Sequence, residues 1–315
     1  MGVSTGSVWH RLRYGCGVSS EVGSSQRRSA YLLLAVNIAI GSVSFTLVQL
    51  SLKQLTPLAL AAGRVVVSAL MFMAVVMRWP AMRTPILRAD RWRVFVIGFV
   101  GSAVFHLLFN WGQHHVSVAI AAVIMATYPV MTTVGEVIFL GYRLRRLQVI
   151  GVMLSTLGCI VIGLANGIDG GGGSVWGAVV VALAALSWAA VTIITRDIGE
   201  RYNSWWLNTP GTVAGAVFML IVATPDLHQY AHLSWRVWLA VIWLGSASSA
   251  FIYYSLAKVM TVLSATTTSA ITTVVTPTSV LVAWLVLGDA PTLVDALGGL
   301  VVIGGVILVV LRRGD

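Results

Sequence analysis

The sequence predicts an all-α integral membrane protein with ten transmembrane helices, arranged as two inverted five-helix repeats around a central cavity. Hydrophobic residues make up 58% of the 315 residues and charged residues only 10%, whereas soluble domains carry about 25% charged residues. Apolar runs of about 20 residues, enough to cross a hydrocarbon core as a helix, recur from residue 31 onward. The second half of the chain also repeats the first at an offset near 147 residues.

The apolar runs are continuous rather than alternating, which predicts helices, because lipid leaves the backbone groups of an open strand unsatisfied. We number them segments 1 to 10. They cover residues 31–50, 57–79, 94–113, 117–140, 147–165, 175–195, 204–224, 236–256, 262–287 and 292–311.

The predicted domain organisation follows from these segments. The first thirty residues are rich in Ser, Gly and Arg and are expected to be a disordered tail, and a Gly-rich stretch separates segments 5 and 6. The units are a tail at 1–30, a first repeat at 31–165, a linker at 166–174, a second repeat at 175–311 and a C-terminus at 312–315.

The net charge of +10 raises the question of a nucleic-acid partner, so the positions of the basic residues decide its meaning. Seventeen of the twenty Lys and Arg residues fall in loops or termini on one side of the predicted membrane. Because cytoplasmic loops carry the excess of Lys and Arg, both termini are expected in the cytoplasm, in the plasma (inner) membrane. The one-sided distribution of Lys and Arg residues therefore indicates the membrane topology, and we expect the lipid bilayer rather than nucleic acid as a partner.

The internal repeat relates equivalent positions in the two halves. Five crossings in each half reverse its direction, so the halves are expected to be inverted, as in secondary transporters that work by alternating access. The matched pairs are Leu140-Gly141 with Leu287-Gly288, Gly151 with Gly298, Gly158 with Gly305, and, after a one-residue slip, Pro129 with Pro277.

Several stretches carry a family resemblance: "TPLALAAGR" in segment 2, "SVAIAAVIMATYP" in segment 4 and "TPTSVLVAWLVLGDAPTLVDALGGLVVIGG" in segments 9 and 10. With these motifs the chain resembles the ten-helix EamA-type branch of the drug/metabolite transporter superfamily. It departs at Tyr142, where the family pattern has Glu after Leu-Gly. The resemblance implies efflux of small metabolites, often amino acids, from a cavity formed by helices 1–4 and 6–9, with helices 5 and 10 at the periphery.

Depth estimates at about 1.5 Å per helical residue locate the two prolines near the membrane midplane. Each proline breaks the hydrogen-bond ladder and frees a carbonyl four residues earlier, at Met125 and Thr273. Interrupted helices at corresponding positions of two halves point to a binding site. A structural kink repaired by neighbouring hydroxyl groups is the alternative.

Two polar residues of segment 3 fall at a similar depth. His106 and Asn110 share one face, so His106 is expected to serve in the cavity or a proton relay, or to make an ordinary interhelical hydrogen bond. Arg64 of segment 2 is expected to contact Asn110. It could attract a substrate carboxylate or extend toward the membrane surface.

Glu136 is estimated to lie near the cytoplasmic end of segment 4. We expect an ion pair with Arg143, Arg145 or another cytoplasmic Arg, with a gating or proton-coupling carboxylate as the alternative.

The candidate residues are therefore of two kinds. The proposed substrate-binding residues are Ser42, Arg64, His106, Asn110, Tyr128, Pro129, Trp188, Thr272, Thr273, Thr276 and Pro277. The gating or proton-coupling candidates are His106 and Glu136. We expect no catalytic residue, metal site or cofactor.

Other function classes find less support in the sequence. An enzyme would need clustered catalytic or metal-binding residues, and an ATP-driven pump would need a phosphate-binding loop, which is not found. Secondary transport of a small molecule such as an amino acid, by proton coupling or exchange, is the prediction. A transporter of small drugs or nucleosides and a non-transporting membrane scaffold stay open, as does a homodimer.

Overall fold

The computed structural model describes residues 24–115, 124–165, 175–287 and 292–310, and all regular structure within these ranges is helical. Its α-helices are α1 Ser24–Ser51, α2 Pro57–Arg78, α3 Arg91–Phe99, α4 Phe105–His115, α5 Tyr128–Leu140, α6 Arg146–Ala165, α7 Val175–Ile198, α8 Ser204–Val222, α9 Trp235–Gly245, α10 Ile252–Val259, α11 Ala265–Thr272, α12 Val275–Leu287 and α13 Leu293–Val310. Two π-helical turns, Val100–Val104 and Ser246–Phe251, join α3 to α4 and α9 to α10. The predicted linker and C-terminal residues 312–315 lie outside the described residues.

Six stretches of the described chain are long and apolar enough to cross a membrane, which confirms an all-helical membrane protein. They are Ser24–Val48, Pro57–Arg78, Arg88–Gly112, Val175–Arg201, Ser204–Val222 and Trp235–Val259. Shorter apolar helices lie at Tyr128–Leu140, Arg146–Ile162 and Ala296–Val310. Segment 9 is divided into α11 and α12, so it does not count as one long helix. The count of ten crossings stays a prediction.

The helix ends follow local side-chain chemistry. α2 and α8 begin 147 positions apart, at Pro57 and Ser204, and each has a side-chain cap. The Thr56 hydroxyl oxygen accepts the Ala59 N–H at 3.2 Å, and the Asn203 side-chain oxygen accepts the Trp205 N–H at 2.9 Å. Such caps satisfy N–H groups that have no partner within the helix. α1 begins earlier than predicted, so residues 24–30 of the expected tail are helical.

The helix interruptions also recur in both halves. Ala126–Thr127 precede α5 and Thr273–Val274 separate α11 from α12, again 147 positions apart. The Thr127 hydroxyl donates to the Ile124 carbonyl at 2.7 Å, and the Thr273 carbonyl accepts the Thr276 N–H at 3.0 Å. Both breaks therefore lie just before the prolines and contain local hydrogen bonds, and the choice between a binding site and a structural kink stays a prediction.

The helices α6 and α13 pack backbone to backbone through glycines. A Cβ atom added at Gly151 would lie 2.6 Å from the Gly305 carbonyl oxygen, and one at Gly158 would lie 2.8 Å from the Gly298 carbonyl oxygen. Gly151, nearer the start of α6, contacts Gly305, nearer the end of α13, and Gly158 contacts Gly298. The two helices therefore run antiparallel, and the contacting residues are those that the repeat makes equivalent.

Close helix contacts also surround the centre of the bundle. A Cβ at Gly98 would lie 2.6 Å from the Asn208 carbonyl oxygen, and one at Gly245 would lie 2.9 Å from the Arg64 carbonyl oxygen. Gly98 and Gly245 are 147 positions apart, and each precedes one of the π turns. These contacts bring α3 against α8 and α9 against α2, and so position α4 and α10 to meet.

Candidate substrate site

The centre of the site is a hydrogen bond between the two repeats. The Tyr253 hydroxyl of α10 lies 2.9 Å from Nε2 of His106 in α4. Both residues are buried, and they stand 147 positions apart, each shortly after a π turn. Because π turns shift helix register and occur often at functional sites, they explain how these two side chains come to face each other. His106 thus makes an interhelical bond, one of its two predicted roles.

Arg64 of α2 lies beside this pair and is 8% exposed. Its Nη2 atom is 3.5 Å from the Ser249 hydroxyl oxygen, in the second π turn. Its Nε has no hydrogen-bond partner in the structure. The guanidinium is close enough to interact electrostatically with His106 and Tyr253. The expected contact with Asn110 is wrong, because the Asn110 side-chain amide donates instead to the Pro57 carbonyl at 3.2 Å.

A small cavity of about 20 Å³ adjoins the central pair. It is lined by Ile97, Gly101, Tyr128, Trp188, Val191, Thr192, Thr195, Asn208, Tyr253, Leu256, Ala257, Met260 and Thr268. This volume suffices for about one water molecule, whereas small-molecule sites occupy about 300–1,000 Å³. The cavity is therefore too small for a metabolite in this structure, and helices of both halves surround it.

Aromatic side chains connect the cavity to the central pair. The Trp188 ring of α7 lies 5.4 Å from the Tyr253 ring and 5.0 Å from that of Phe105, between ring centroids. Tyr128 of α5 is buried and lines the cavity together with Thr192. Two of the predicted residues, Tyr128 and Trp188, therefore line the cavity, whereas the Thr272 hydroxyl donates to the Ser269 carbonyl at 2.7 Å.

The remaining candidates lie in other contacts. The Ser42 hydroxyl of α1 is 2.5 Å from that of Thr278 in α12, joining the two halves. The Thr273 hydroxyl donates to the Ala270 carbonyl of its own helix at 2.6 Å. A Cβ at Gly299 of α13 would lie 3.2 Å from Cβ of Pro277, so this proline packs toward α13. Pro129, Thr273, Thr276 and Pro277 are not among the residues that line the cavity.

Glu136 caps a helix of the other half, and no ion pair joins it to Arg143, Arg145 or another Arg among the described residues, so the expected ion pair is wrong. One carboxylate oxygen accepts the Ala265 N–H at 2.9 Å and the other accepts the Thr266 N–H at 2.8 Å, at the start of α11. Glu136 is 1% exposed. A helix N-terminus carries partial positive charge and unsatisfied N–H groups, and both favour a carboxylate. Glu136 thereby holds α5 to α11.

The ends of the bundle are closed by polar contacts as well. Near the starts of α3 and α8, the buried Asp90 carboxylate accepts hydrogen bonds from Arg201 at 3.0 Å and from the Tyr202 hydroxyl at 2.8 Å. At the opposite end, the Tyr230 hydroxyl donates to the Ala59 carbonyl at 2.8 Å. Burial raises the pKa of Tyr230 to about 12.

Sequence reasoning missed Tyr253, Ser249 and the polar residues Thr192 and Asn208. A tyrosine in an apolar run gives no signal in a hydropathy profile. The repeat did contain the information, because position 106 shifted by 147 is position 253. Applying the offset to His106 would have identified its partner.

An all-helical membrane chain with two matched halves and a polar centre enclosed between them has the features of a membrane transporter. Residues 28–164 and residues 175–311 each match the model of the EamA-like transporter family. The chain belongs to this family, as its motifs predicted, and it contains two copies of the family's domain. Because the family consists of transporters, the prediction that the protein is not an enzyme is confirmed.

Individual relatives give a consistent picture. The chain is 27% identical over 292 residues to an uncharacterized transporter, YdfC, of Bacillus subtilis (strain 168), covering 91% of this chain and 93% of that one. It is 28% identical over 216 residues to a probable terminal-alkyne amino-acid exporter of Streptantibioticus cattleyicolor, covering 69% of this chain and 72% of that one. A solved crystal structure has the same fold, with a TM-score of 0.75 at 20% identity, covering 90% of this chain and 97% of that one.

Proposed function

We propose that this protein is a secondary transporter that exports a small metabolite such as an amino acid by alternating access. Ten helices, in two inverted repeats, would rock about the centre defined by His106 and Tyr253. The observation that carries the proposal is this hydrogen bond between repeat-equivalent positions of α4 and α10. A contact of this kind lies on the pseudo-two-fold axis that relates inverted repeats.

Antiparallel packing of α6 and α13 supports the inverted arrangement. These helices are equivalent in the repeat, and equivalent helices of opposite direction require inverted halves. The matching interruptions before α5 and α12 support it as well, since discontinuous helices in corresponding positions are typical of such transporters. With most Lys and Arg residues on one side, both termini are proposed to face the cytoplasm, in the plasma (inner) membrane.

We further infer that the Glu136 contact is a gate. It joins the first repeat to the second near the proposed cytoplasmic end, so opening to the cytoplasm would require the two backbone N–H groups of α11 to leave the carboxylate. The cavity of about 20 Å³ is consistent with a state in which this gate is closed. Protonation of Glu136 would remove the negative charge that the helix terminus favours, which offers a route for proton coupling.

An amino acid is the proposed substrate for two reasons. A relative is named as a probable terminal-alkyne amino-acid exporter. The cavity of this chain combines apolar rings with hydroxyl and amide groups, including Trp188, Thr192 and Asn208. Such a lining can accommodate an apolar side chain beside the polar groups of an amino acid.

Transport in proteoliposomes tests the proposal. Purified protein is reconstituted, and uptake of radiolabelled amino acids, a nucleoside and a cationic drug is compared with uptake by empty vesicles. We expect at least one amino acid to move, and replacement of Trp188 in the cavity by Ala to reduce the rate. Trp176, on the same helix and 74% exposed, provides the matched control, since its replacement by Ala is expected to leave transport unchanged.

The outcomes separate the alternatives. Movement of the nucleoside or drug alone contradicts the amino-acid assignment, and no movement of any solute favours a membrane scaffold. Unchanged pH dependence of transport in His106→Ala and Glu136→Gln would exclude proton coupling through these groups. A homodimer stays a prediction, to be checked by the mass of the detergent-solubilised protein.

A further inference from the structure

We propose that Arg64 is the docking point for a carboxylate group of the transported molecule, with Ser249 and the Tyr253–His106 pair as its neighbours. This proposal rests on the proposed transport function and specifies the chemistry of its site. It names an anionic group that the substrate must carry, and it assigns the recognition of that group to one side chain.

The first argument is the unpaired charge of Arg64. Arg93, Arg196 and Arg201 each have an acidic partner within 4.0 Å. Arg64, which is 8% exposed, has no acidic partner within that distance among the described residues. A buried charge without a counter-ion is costly, and inside a membrane protein it marks a functional site. A carboxylate that binds there would supply the missing charge.

The second argument is the unused hydrogen-bonding capacity around the guanidinium. Nε of Arg64, Nδ1 of His106 and Oγ of Ser68 are buried and lack partners in the structure. Ser68 lies four residues after Arg64, so both project from the same face of α2. The Ser249 hydroxyl, at 3.5 Å, is a long and weak partner for the guanidinium. Buried polar atoms normally have partners, so a cluster that lacks them fits a site that a polar ligand completes.

The third argument is the asymmetry between the repeats. α2 and α8 begin at matched positions, and the residue of α8 equivalent to Arg64 is Gly211. A Cβ at Gly211 would lie 2.2 Å from the Phe95 carbonyl oxygen, so this side of the fold has no room for a side chain. The contact of α8 with α3, which is equivalent to that of α2 with α9, therefore forms without a charged side chain at this position. The guanidinium is thus specific to the α2 side.

The fourth argument is access. The Tyr253 ring lines the cavity and its hydroxyl bonds to His106, and Ser249, the neighbour of the Arg64 guanidinium, lies four residues earlier in the chain. A substrate in an enlarged cavity would meet this ring first and would reach Arg64 when the Tyr253–His106 bond opens. Arg64 is the only cation among the buried residues that the structure describes, which favours a monoanion over a phosphate dianion. The planar guanidinium matches a carboxylate through two parallel hydrogen bonds.

Binding to the purified full-length protein tests the proposal with matched probes. Thermal-shift titrations compare L-leucine with L-leucinamide and L-phenylalanine with phenethylamine, each pair differing in its carboxylate. We expect the carboxylate member of a pair to bind at least tenfold more tightly, and Arg64→Met to remove this preference. Arg236→Met, at an exposed outer position, is the control that should keep it.

Ligand-free stability distinguishes a binding role from a structural one. If Arg64 serves the substrate, Arg64→Met should melt at the same temperature as the wild type or higher, because an uncompensated buried charge is removed. If Arg64 is a structural anchor, Arg64→Met should melt lower, and this outcome would overturn the proposal. Arg64→Lys, which keeps the charge but loses the planar fork, should bind carboxylates several-fold more weakly while still preferring them to amides.

Failure of the two proposals can be told apart. If the wild type transports leucinamide or phenethylamine as well as the acids, transport stands and the carboxylate site is wrong. If neither member of any pair binds to or moves through the wild type, and no solute of the wider transport panel moves either, the transport function itself is contradicted. If only a solute without a carboxylate moves, transport stands and the carboxylate site is wrong.

Discussion

The interface of α6 with α13 and the central cluster around His106 are both formed by repeat-equivalent residues. The two regions differ in whether the equivalent residues are of the same type. At the periphery the equivalent residues are identical glycines, Gly151 with Gly298 and Gly158 with Gly305. At the centre they differ: His106 is equivalent to Tyr253, and Arg64 to Gly211. The fold thus retains its two-fold symmetry where the helices only pack, and loses it where chemistry is proposed.

This contrast has a physical reason. Backbone contact through glycine tolerates no side chain, so both halves are restricted to the same residue. A hydrogen bond in the centre can be made by several pairs of side chains, so the two halves are free to diverge. The same residue at both equivalent positions therefore indicates a packing constraint. Different residues at equivalent positions indicate a site whose two sides differ chemically.

The largest expected effect breaks the symmetric interface. Gly305→Ala would bring a Cβ to 2.5 Å from the Ser155 nitrogen and 2.6 Å from the Gly151 carbonyl oxygen, and both are backbone atoms that cannot rotate away. We expect a loss of about 1–3 kcal/mol of stability or more. Thermal unfolding followed by fluorescence in detergent measures it.

The neighbouring residue provides the control. A Cβ at Gly304 of the same helix has nothing within 4 Å, so Gly304→Ala should leave the unfolding temperature nearly unchanged. Equal effects of the two alanines would contradict the backbone contact between α6 and α13.

The next effect concerns the contact between the halves at Glu136. Glu136→Ala removes the acceptor of buried N–H groups at the start of α11, at a cost of about 1–3 kcal/mol. Glu136→Gln retains one acceptor oxygen and should lose less. Both variants should transport more slowly than the wild type, measured as initial rates in proteoliposomes.

Glu200→Gln is the matched control, because this exposed carboxylate pairs with Arg196 at 2.9 Å and exposed pairs contribute little. An effect of Glu200→Gln as large as that of Glu136→Ala would argue that general charge, rather than the helix cap, determines the result.

The smallest expected effect concerns the hydrogen bond between Tyr253 and His106 in the asymmetric centre. Tyr253→Phe removes the hydrogen bond to His106, and we expect a loss of about 0.5–1.5 kcal/mol. The double variant His106→Tyr with Tyr253→His swaps the two residues, so that the same two side chains are present but each lies in the opposite half. A double-mutant cycle on unfolding temperature and transport rate measures the coupling. Coupling near zero would show that the pair contributes no cross-repeat interaction.

Much of the fold could be predicted from the sequence. Continuous apolar runs located most helix bounds within a few residues, and the offset between the halves was found from residues such as Gly151 and Gly298. The π turns at Val100 and Ser246 were not predicted, because a shift from one backbone acceptor to the next leaves no trace in composition. The helix interruptions were expected at the prolines, and they lie two to four residues earlier.

The site was less predictable, because depth along a helix does not identify a partner. Glu136 was assigned to nearby arginines on depth alone, whereas its partners are backbone N–H groups about 130 residues away. Arg64 and Asn110 were expected to meet at a common depth, yet each bonds elsewhere. Partner choice depends on helix rotation, which the π turns change and a hydropathy profile does not contain.

The glycine contacts of α6 with α13 have one more consequence, for measuring motion. Conformational switching needs side chains that can pack in two different arrangements, and the glycine contact between α6 and α13 contains no such side chains. The pair should behave as a rigid internal reference frame. Spin labels on the exposed side of these two helices, at Leu157 and Leu300, should keep one distance through the transport cycle. Displacements of every other helix can then be measured against that fixed pair.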